Sequence, residues 1–272
     1  MKKKICIITG SSGAVGSDIS AYFIRKNWRV IQLSRSKKKG FYFYSLNNPE
    51  ASRKHFVTHA DLFIHCAFEF NIKNYSRNYK TNVIGSYKTF KIAKEKKVKK
   101  IINISSLSSF GDAKSIYGKI KFAIEKKSRK FGVYNLRCGL YSSERSKLYS
   151  KIKKLSKRNY FFPLIGDGSS KLHLMDTNKL IDFILKINEN FYLFKNFYFV
   201  GNKKPITLKN LILSFSKKKL FIPINLEIIK FILSLFEICK IRIGFTPDNL
   251  LGLINYNQFI NFTEYRNNKN SF

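Results

Sequence analysis

The chain has 272 residues, enough for one large domain or for a domain with a smaller second lobe. Hydrophobic residues make up 44% of it, enough for a real core, and the net charge is +36 at pH 7. No apolar run reaches the roughly 18 residues of a membrane span, because charged residues interrupt the best candidate, 222–241, and we predict a cytoplasmic protein without a signal peptide.

Predicted strands and helices alternate through the first half of the chain, as is typical of a parallel sheet covered on both faces. Strands are predicted near 4–9, 29–34, 41–44, 61–66, 100–104 and 132–137, and helices near 14–26, 50–58, 82–97 and 116–131. Later helices are predicted near 146–157, 176–189, 207–217 and 226–240. We therefore expect an α/β fold, with a Rossmann-type doubly wound parallel sheet in residues 1–140. Residues 141–272 are expected to form a smaller, mostly helical substrate lobe interleaved with it.

A glycine-rich loop connects the first predicted strand to the first predicted helix. Gly10, Gly13 and Gly16 allow the backbone to turn tightly and to approach a pyrophosphate, and the helix N-terminus offers unpaired N–H groups. The apolar run 28–33 closes a βαβ unit of about 30 residues. We therefore predict a dinucleotide site that contains Gly10, Ser11, Ser12, Gly13, Ala14, Val15 and Gly16.

A second group of residues provides candidate catalytic side chains. The strand predicted at 100–104 ends near Ser106, and Tyr117 and Lys121 follow at positions i and i+4 of a predicted helix. A nearby ammonium lowers the pKa of a phenol, and a hydroxyl can bind both the phenol and a substrate oxygen. Such a group moves a proton while a nicotinamide accepts or donates hydride. A lysine-rich chain also produces Tyr-x-x-x-Lys by chance, so the alternative is a solvated helix face.

The order of these parts resembles the short-chain dehydrogenase/reductase superfamily, in particular its extended branch of NAD-dependent epimerases and dehydratases. In this resemblance Cys66 and Ala67 follow the fourth strand beside the adenine and ribose, and Asn82 is the family's structural asparagine. Ser106 stands at the serine/threonine position that binds the substrate oxygen, Tyr117 is the acid and base, and Lys121 lowers its pKa and orients the ribose. Further similarity lies in 137–140, 162–168 and 173–176.

Departures from the family pattern bear on the cofactor and the substrate. The second strand ends in Ser34 and Arg35, followed by Lys37, where NAD-binding relatives have an acidic residue. A hydroxyl and cations suit a 2′-phosphate, so we predict NADP as the preferred cofactor and NAD as the alternative. Lys171 stands near the arginine with which relatives bind the substrate diphosphate, and lysine can pair there only as a point charge.

The residues that follow Ser106 narrow the predicted reaction. Family dehydratases have an Asp-Glu pair there, whereas this chain has Leu107 and Ser108, so sugar 4,6-dehydration is not expected. We predict a nucleotide-sugar epimerase or 4-ketoreductase, which the resemblance implies for polysaccharide synthesis, and we consider a homodimer. One alternative is an NADPH-dependent reductase of another small carbonyl compound. The other is a non-catalytic dinucleotide-binding protein that binds RNA or a partner through its basic surface.

The basic charge and the cysteines do not by themselves indicate a function. The lysines are spread along the whole chain, so we favour a solvated basic surface over a specific nucleic-acid site. The cysteines form no CxxC pair, and we predict apolar thiols and no metal site from Cys6, Cys66, Cys138 and Cys239.

Overall fold

The computed structural model describes residues 3–36, 39–70, 74–158, 160–189, 197–216, 219–238 and 246–254. The strands are β1 (Ile5–Thr9), β2 (Arg29–Ser34), β3 (Tyr42–Phe43), β4 (Leu62–His65), β5 (Lys100–Ser106), β6 (Tyr134–Cys138), β7 (Leu140–Tyr141), β8 (Phe161–Ile165), β9 (Lys171–Leu172), β10 (Leu174–Met175), β11 (Tyr198–Val200), β12 (Ile206–Thr207) and β13 (Leu220–Ile224). The α-helices are α1 (Ala14–Arg25), α2 (Tyr75–Asn78), α3 (Gly85–Glu95), α4 (Ile116–Ser128), α5 (Lys147–Arg158), α6 (Thr177–Asn188), α7 (Leu208–Phe215), α8 (Leu226–Ile238) and α9 (Pro247–Ile254).

The main sheet is parallel, and its described strands follow the order β11-β6-β5-β4-β1-β2-β3. The chain builds outward from β1 to β3, then returns to the other side of β1 and continues through β4, β5 and β6. This reversal creates a switch point at the carboxyl ends of β1 and β4, where open α/β sheets bind their ligands. The predicted doubly wound Rossmann-type sheet is confirmed.

Both faces of the sheet are covered, which explains why the first strand is apolar throughout. Successive side chains of a strand point to opposite faces. Ile5 and Ile7 accordingly pack in one core cluster, with Phe90, while Cys6 and Ile8 pack in the other. All five residues of β1 are buried, as expected for the centre of a parallel sheet.

The residues after 140 form a lobe and also return to the sheet. A third apolar cluster, which includes Leu107, Leu164 and Leu211, brings together residues of α5, α7, β8 and β13 with the loop that follows β5. Between α5 and α7, however, α6 packs on the main sheet and β11 pairs with β6 in parallel. The chain therefore passes from sheet to lobe and back, and a division at residue 140 stays a prediction.

The predicted elements of the first half are found close to their expected bounds, with three differences in helix type. The predicted helix at 50–58 is a 3₁₀ helix, Pro49–His55, and the helix predicted at 82–97 starts in a π-helical turn, Tyr79–Ile84. The helix predicted at 116–131 ends in a 3₁₀ turn, Arg129–Phe131. The sequence analysis predicted neither the strands β7 to β13 nor the helices α2 and α9. Among the described residues, no helix is both long and apolar enough to cross a bilayer.

Candidate active site

The glycine loop occupies the switch point and requires its glycines. Gly10 has a φ of +66°, in the left-handed region, and a Cβ there would lie 2.7 Å from the backbone nitrogen of Ala67. A Cβ at Gly16 would collide with the carbonyl oxygen of Gly10. The loop backbone can therefore approach both the end of β4 and a ligand more closely than side chains would permit.

The start of α1 fits the pyrophosphate of a dinucleotide. Its N-cap, Gly13, makes no side-chain cap, and its first turn, which starts with Ala14 and Val15, contains no acidic residue. The N–H groups of this turn and the positive end of the helix dipole are thus available to an anion. The hydroxyls of the loop bind the end of β2 instead. Ser11 Oγ donates to the Leu33 carbonyl at 3.1 Å, and the Ser12 hydroxyl bonds with that of Ser34.

The segment after β4 connects the glycine loop to the second group of residues. The backbone of Ala67 lies against Gly10. The ring of Phe68 lies 4.7 Å from the Lys121 ammonium and 5.1 Å from the ring centroid of Tyr117. One short segment therefore touches the loop on one side and the candidate catalytic residues on the other.

The structure brings together the three predicted catalytic residues. Tyr117 and Lys121 share one face of α4, and Ser106 is the last residue of β5. The hydroxyls of Ser106 and Tyr117 are hydrogen-bonded. The Lys121 ammonium donates to the Ile104 carbonyl at 2.8 Å and lies 5.9 Å from the centroid of the Tyr117 ring. A phenol, a hydroxyl and an ammonium thus meet at the carboxyl end of β5.

Burial determines how these groups titrate. It raises the pKa of Tyr117 to about 12, although the hydrogen bond with Ser106 opposes the shift. It lowers the pKa of Lys121 to about 8, against the effect of the nearby Cys66, Cys138 and Glu125. The sequence analysis expected Lys121 to lower the pKa of Tyr117, but burial raises it. Tyr117 therefore carries its proton at neutral pH and is ready to act as an acid.

An aromatic side chain that sequence reasoning missed covers Tyr117. The ring of Phe70 stacks on it, with 5.8 Å between centroids and 20° between planes, and Phe70 is 69% exposed. Phe68 and Phe70 also contact each other. The only local signal was the pair of aromatic residues directly after β4. These rings form an apolar surface next to the polar groups of Tyr117 and Lys121.

Asn82 and Arg35 both bind Glu69, which lies in the segment after β4. The Asn82 side chain accepts the N–H of Glu69 at 2.8 Å and donates to its carbonyl at 3.0 Å. The Glu69 carboxylate forms an ion pair with Arg35, just after β2. Ser34 is buried, and its hydroxyl bonds with that of Ser12 and accepts the N–H of Ser36. Ser34 and Arg35 were both predicted to bind a 2′-phosphate, and of these Arg35 is the exposed one.

The remaining predicted residues lie apart from this group or outside the described residues. Lys171 is exposed on β9, which pairs with β12 in the lobe. Lys37 and Cys239 lie outside the described residues. Cys6, Cys66 and Cys138 are free thiols, and the described residues contain no group of three His, Cys, Asp or Glu side chains placed to hold a metal ion.

His65, at the end of β4, is buried and neutral. Its Nδ1 lies 2.7 Å from Thr9 Oγ1, and its Nε2 lies 2.9 Å from Ser86 Oγ. Burial, assisted by the Lys121 ammonium, lowers the pKa of His65 to about 3. Protonation of this imidazole is therefore coupled to unfolding.

We expect the protein to lose stability when the pH falls below the pKa of an unfolded histidine. Between about pH 6.5 and the folded pKa the unfolded state binds the extra proton, so the free energy of unfolding decreases by about 2 kcal/mol at pH 5 from His65 alone. Urea unfolding of wild type and His65→Gln at pH 7 and pH 5 measures this. The loss on acidification should be smaller in the variant by that amount, and equal losses would contradict the assignment.

Comparisons with known proteins agree with this geometry. The sequence model described as the NAD dependent epimerase/dehydratase family matches residues 6–191. The ADP-L-glycero-D-manno-heptose-6-epimerase of Helicobacter pylori is similar in structure, with a TM-score of 0.69 and 18% identity, covering 82% of this chain and 86% of that one. The UDP-glucose 4-epimerase of Thermotoga maritima has a TM-score of 0.67 and 18% identity, covering 80% and 85%. The UDP-N-acetylglucosamine 4-epimerase of Bacillus cereus has a TM-score of 0.67 and 14% identity, covering 82% and 89%. No curated protein sequence matches this chain.

The fold and the family match together establish the class of protein. A parallel sheet with a glycine loop at its switch point and Tyr-x-x-x-Lys on α4 defines an enzyme of the extended short-chain dehydrogenase/reductase type. Since the family match extends over more than half of the chain, the protein belongs to the NAD-dependent epimerase/dehydratase family. The resemblance inferred from the sequence is confirmed. The structural neighbours, at 18% identity or less, show the fold alone.

Proposed function

We propose that the protein is an NAD(P)-dependent nucleotide-sugar epimerase or 4-ketoreductase. The observation that carries this proposal is the segment Ala67–Phe68, which contacts the glycine loop on one side and Tyr117 and Lys121 on the other. A cofactor held by the glycine loop and a proton-transfer group on α4 would thereby act on the same substrate. The sugar-nucleotide epimerases among the structural neighbours support the substrate class.

The residues present fit a nicotinamide dinucleotide. Its pyrophosphate would be held by the start of α1 and by the loop that contains Gly10, Gly13 and Gly16. The glycine backbone has no side chains there, and no side chain caps the N–H groups of the helix. The segment after β4 would lie beside the adenosine and its ribose. It contains Cys66 and Ala67, and Asn82 holds it in place. The dinucleotide, when bound, supplies the hydride acceptor and donor for a sugar carbon.

The proposed chemistry of the protein is proton transfer at one sugar oxygen. Tyr117 donates its proton when a ketone is reduced and must release it before it can accept one from a sugar hydroxyl. Ser106 binds the phenol and is proposed to bind the sugar oxygen in both directions of the reaction. The positive charge of Lys121, held by the Ile104 carbonyl, favours the phenolate form. Lys171 is proposed to face the diphosphate of the substrate from the lobe.

The loop after β5 argues against dehydration. Leu107 is buried in the core of the lobe, and the Ser108 hydroxyl donates to the Gly252 carbonyl at 3.2 Å. Neither position provides the second acid and base that elimination of water requires. Epimerisation or ketone reduction needs only the group around Tyr117.

We propose that Arg35 favours NADP and that Glu69 limits this preference. An arginine at this point can bind a 2′-phosphate, but its guanidinium pairs with the Glu69 carboxylate. We expect Arg35→Gln to weaken NADP binding by about tenfold, the effect of roughly one charge-assisted hydrogen bond, and to change NAD binding little. Titration of protein fluorescence with each dinucleotide measures both affinities.

Glu69→Gln is the matched variant for this prediction. It removes the competing charge and should strengthen NADP binding, since it frees Arg35 and reduces repulsion of the phosphate. Its amide keeps a similar size, and the backbone of residue 69 remains held by Asn82. An unchanged ratio of NADP to NAD affinity in both variants would show that this ion pair does not set cofactor preference.

The test of the proposed function is incubation of the protein with UDP-, GDP- and dTDP-sugars, with and without NADP(H) or NAD(H). Cofactor absorbance and sugar stereochemistry by NMR are followed in the same tube. An isomerised sugar without net cofactor change identifies an epimerase, and stoichiometric cofactor turnover identifies a ketoreductase. Dinucleotide binding without conversion of any sugar would contradict the proposal and favour a reductase of another carbonyl compound or a binding protein.

A further inference from the structure

Two N–H groups at the start of α4 meet a carboxylate from the far end of the chain. The N–H of Ile116 donates to Asp248 Oδ1 at 2.5 Å, and that of Tyr117 donates to Asp248 Oδ2 at 3.2 Å. The Ser115 hydroxyl accepts the N–H of Gly118 at 3.0 Å. These donors have no partner within the helix itself. The backbone of Tyr117 is thus fixed by a residue of α9.

The same helix, α9, also contacts the loop that follows Ser106. The Gly252 carbonyl accepts the Ser108 hydroxyl at 3.2 Å, and the N–H of Ser108 donates to Ser106 Oγ at 3.2 Å. α9 therefore contacts the backbone of Tyr117. It also contacts the loop after Ser106, the hydrogen-bond partner of Tyr117.

Physical chemistry favours this contact, and the family match does not include it. A carboxylate at a helix N-terminus interacts with the positive end of the helix dipole and accepts charge-assisted hydrogen bonds. α9 begins with Pro247 and has Asp248 in its first turn, a typical helix start that the sequence analysis did not use. The family match ends at residue 191, so α9 is a feature of this chain outside the matched region.

We propose that α9 positions the catalytic group and that Asp248 is the positioning residue. The proposal rests on the function proposed above, because it concerns the geometry of the Ser106–Tyr117 hydrogen bond. Asp248 binds the backbone of α4 rather than a substrate. Its effect should therefore appear in turnover, since small misplacements of reacting groups can reduce rates by about 100-fold. Dinucleotide binding, which depends on the glycine loop, should be retained.

Amide hydrogen exchange tests the contact without requiring activity. We expect the amides of Ile116 and Tyr117 to exchange at least about tenfold faster in Asp248→Ala, because each loses its acceptor. Glu227→Ala is the matched control, since Glu227 is an exposed acid on α8 that forms an ion pair with Lys230 of the same helix. It should leave these amides unchanged. Unchanged exchange in Asp248→Ala would overturn the proposal.

Kinetics distinguish a positioning role from a merely structural one. We expect Asp248→Ala to lower kcat by about 10- to 100-fold while the dinucleotide Kd changes less than about twofold, and Asp248→Asn to restore part of the loss. A folded Asp248→Ala protein with wild-type kcat, or an equal loss of dinucleotide affinity, would overturn the proposal. If wild type converts no sugar, the proposed function fails, and the exchange measurement still decides whether Asp248 fixes α4.

Discussion

Tyr117→Phe is expected to reduce sugar conversion by about 10²- to 10⁴-fold, the usual contribution of a general acid or base. Phenylalanine keeps the ring that contacts Phe68 and Phe70, so the packing of the cleft should remain. It loses only the hydroxyl that bonds with Ser106. Since the glycine loop is unaffected, dinucleotide affinity should be nearly that of wild type.

The measurement is NMR of the converted sugar together with a fluorescence titration of the dinucleotide. Tyr75→Phe is the control, because Tyr75 is an exposed tyrosine on α2, and it should convert sugar at the wild-type rate. Wild-type conversion by Tyr117→Phe would show that another group moves the proton. Loss of dinucleotide binding along with conversion would instead indicate a damaged fold.

The fold and the central residues of the site could be predicted because their signals are local. The glycine loop follows a buried strand directly, so the backbone that surrounds Gly10 is set by its immediate neighbours. Tyr117 and Lys121 share a helix face by spacing alone. Ser106 is brought to them because it ends β5, which lies between β4 and β6 in the sheet. The first two steps use a sequence separation of a few residues, and the third also uses the strand order of the sheet.

The features that could not be predicted depend on contacts between distant parts of the chain. Asp248 contacts α4 only because α9 packs against that helix, and the sequence pattern of neither helix predicts this contact. The pair Arg35 and Glu69 likewise joins two strand ends. The raised pKa of Tyr117 follows from burial, which spacing does not reveal. β11, with three residues, is too short to produce a periodic pattern.

A buried ion pair fixes the opposite end of α4. The Arg137 and Glu125 side chains are 6% and 4% exposed, and Nη2 of Arg137 donates to Glu125 Oε2 at 2.7 Å. Nε of Arg137 donates to both carboxylate oxygens at 3.1 Å, and the Ser105 hydroxyl donates to the same carboxylate. Both oxygens of the Glu125 carboxylate thus accept hydrogen bonds and the charge has a partner, which is the condition under which a buried charge is tolerated.

Arg137→Met is expected to lower the free energy of unfolding by about 3–5 kcal/mol, because it leaves the Glu125 charge buried without its partner. Methionine keeps apolar contact with the ring of Phe197, which lies 3.6 Å from the guanidinium carbon. Urea unfolding at pH 7 measures the loss. Lys91→Ala is the control, since it breaks an exposed pair with Glu95 and should cost less than about 1 kcal/mol.

The double variant Arg137→Met, Glu125→Met separates the charge from the packing. If the cost of the single variant comes from an unpaired buried carboxylate, removal of both charges should recover most of the lost stability. If the double variant is as unstable as the single one, packing at this site rather than charge balance holds α4 against β5 and β6. In the first case the recovered protein should also convert sugar, because Glu125 then supports Tyr117 and Lys121 only by keeping their helix in place.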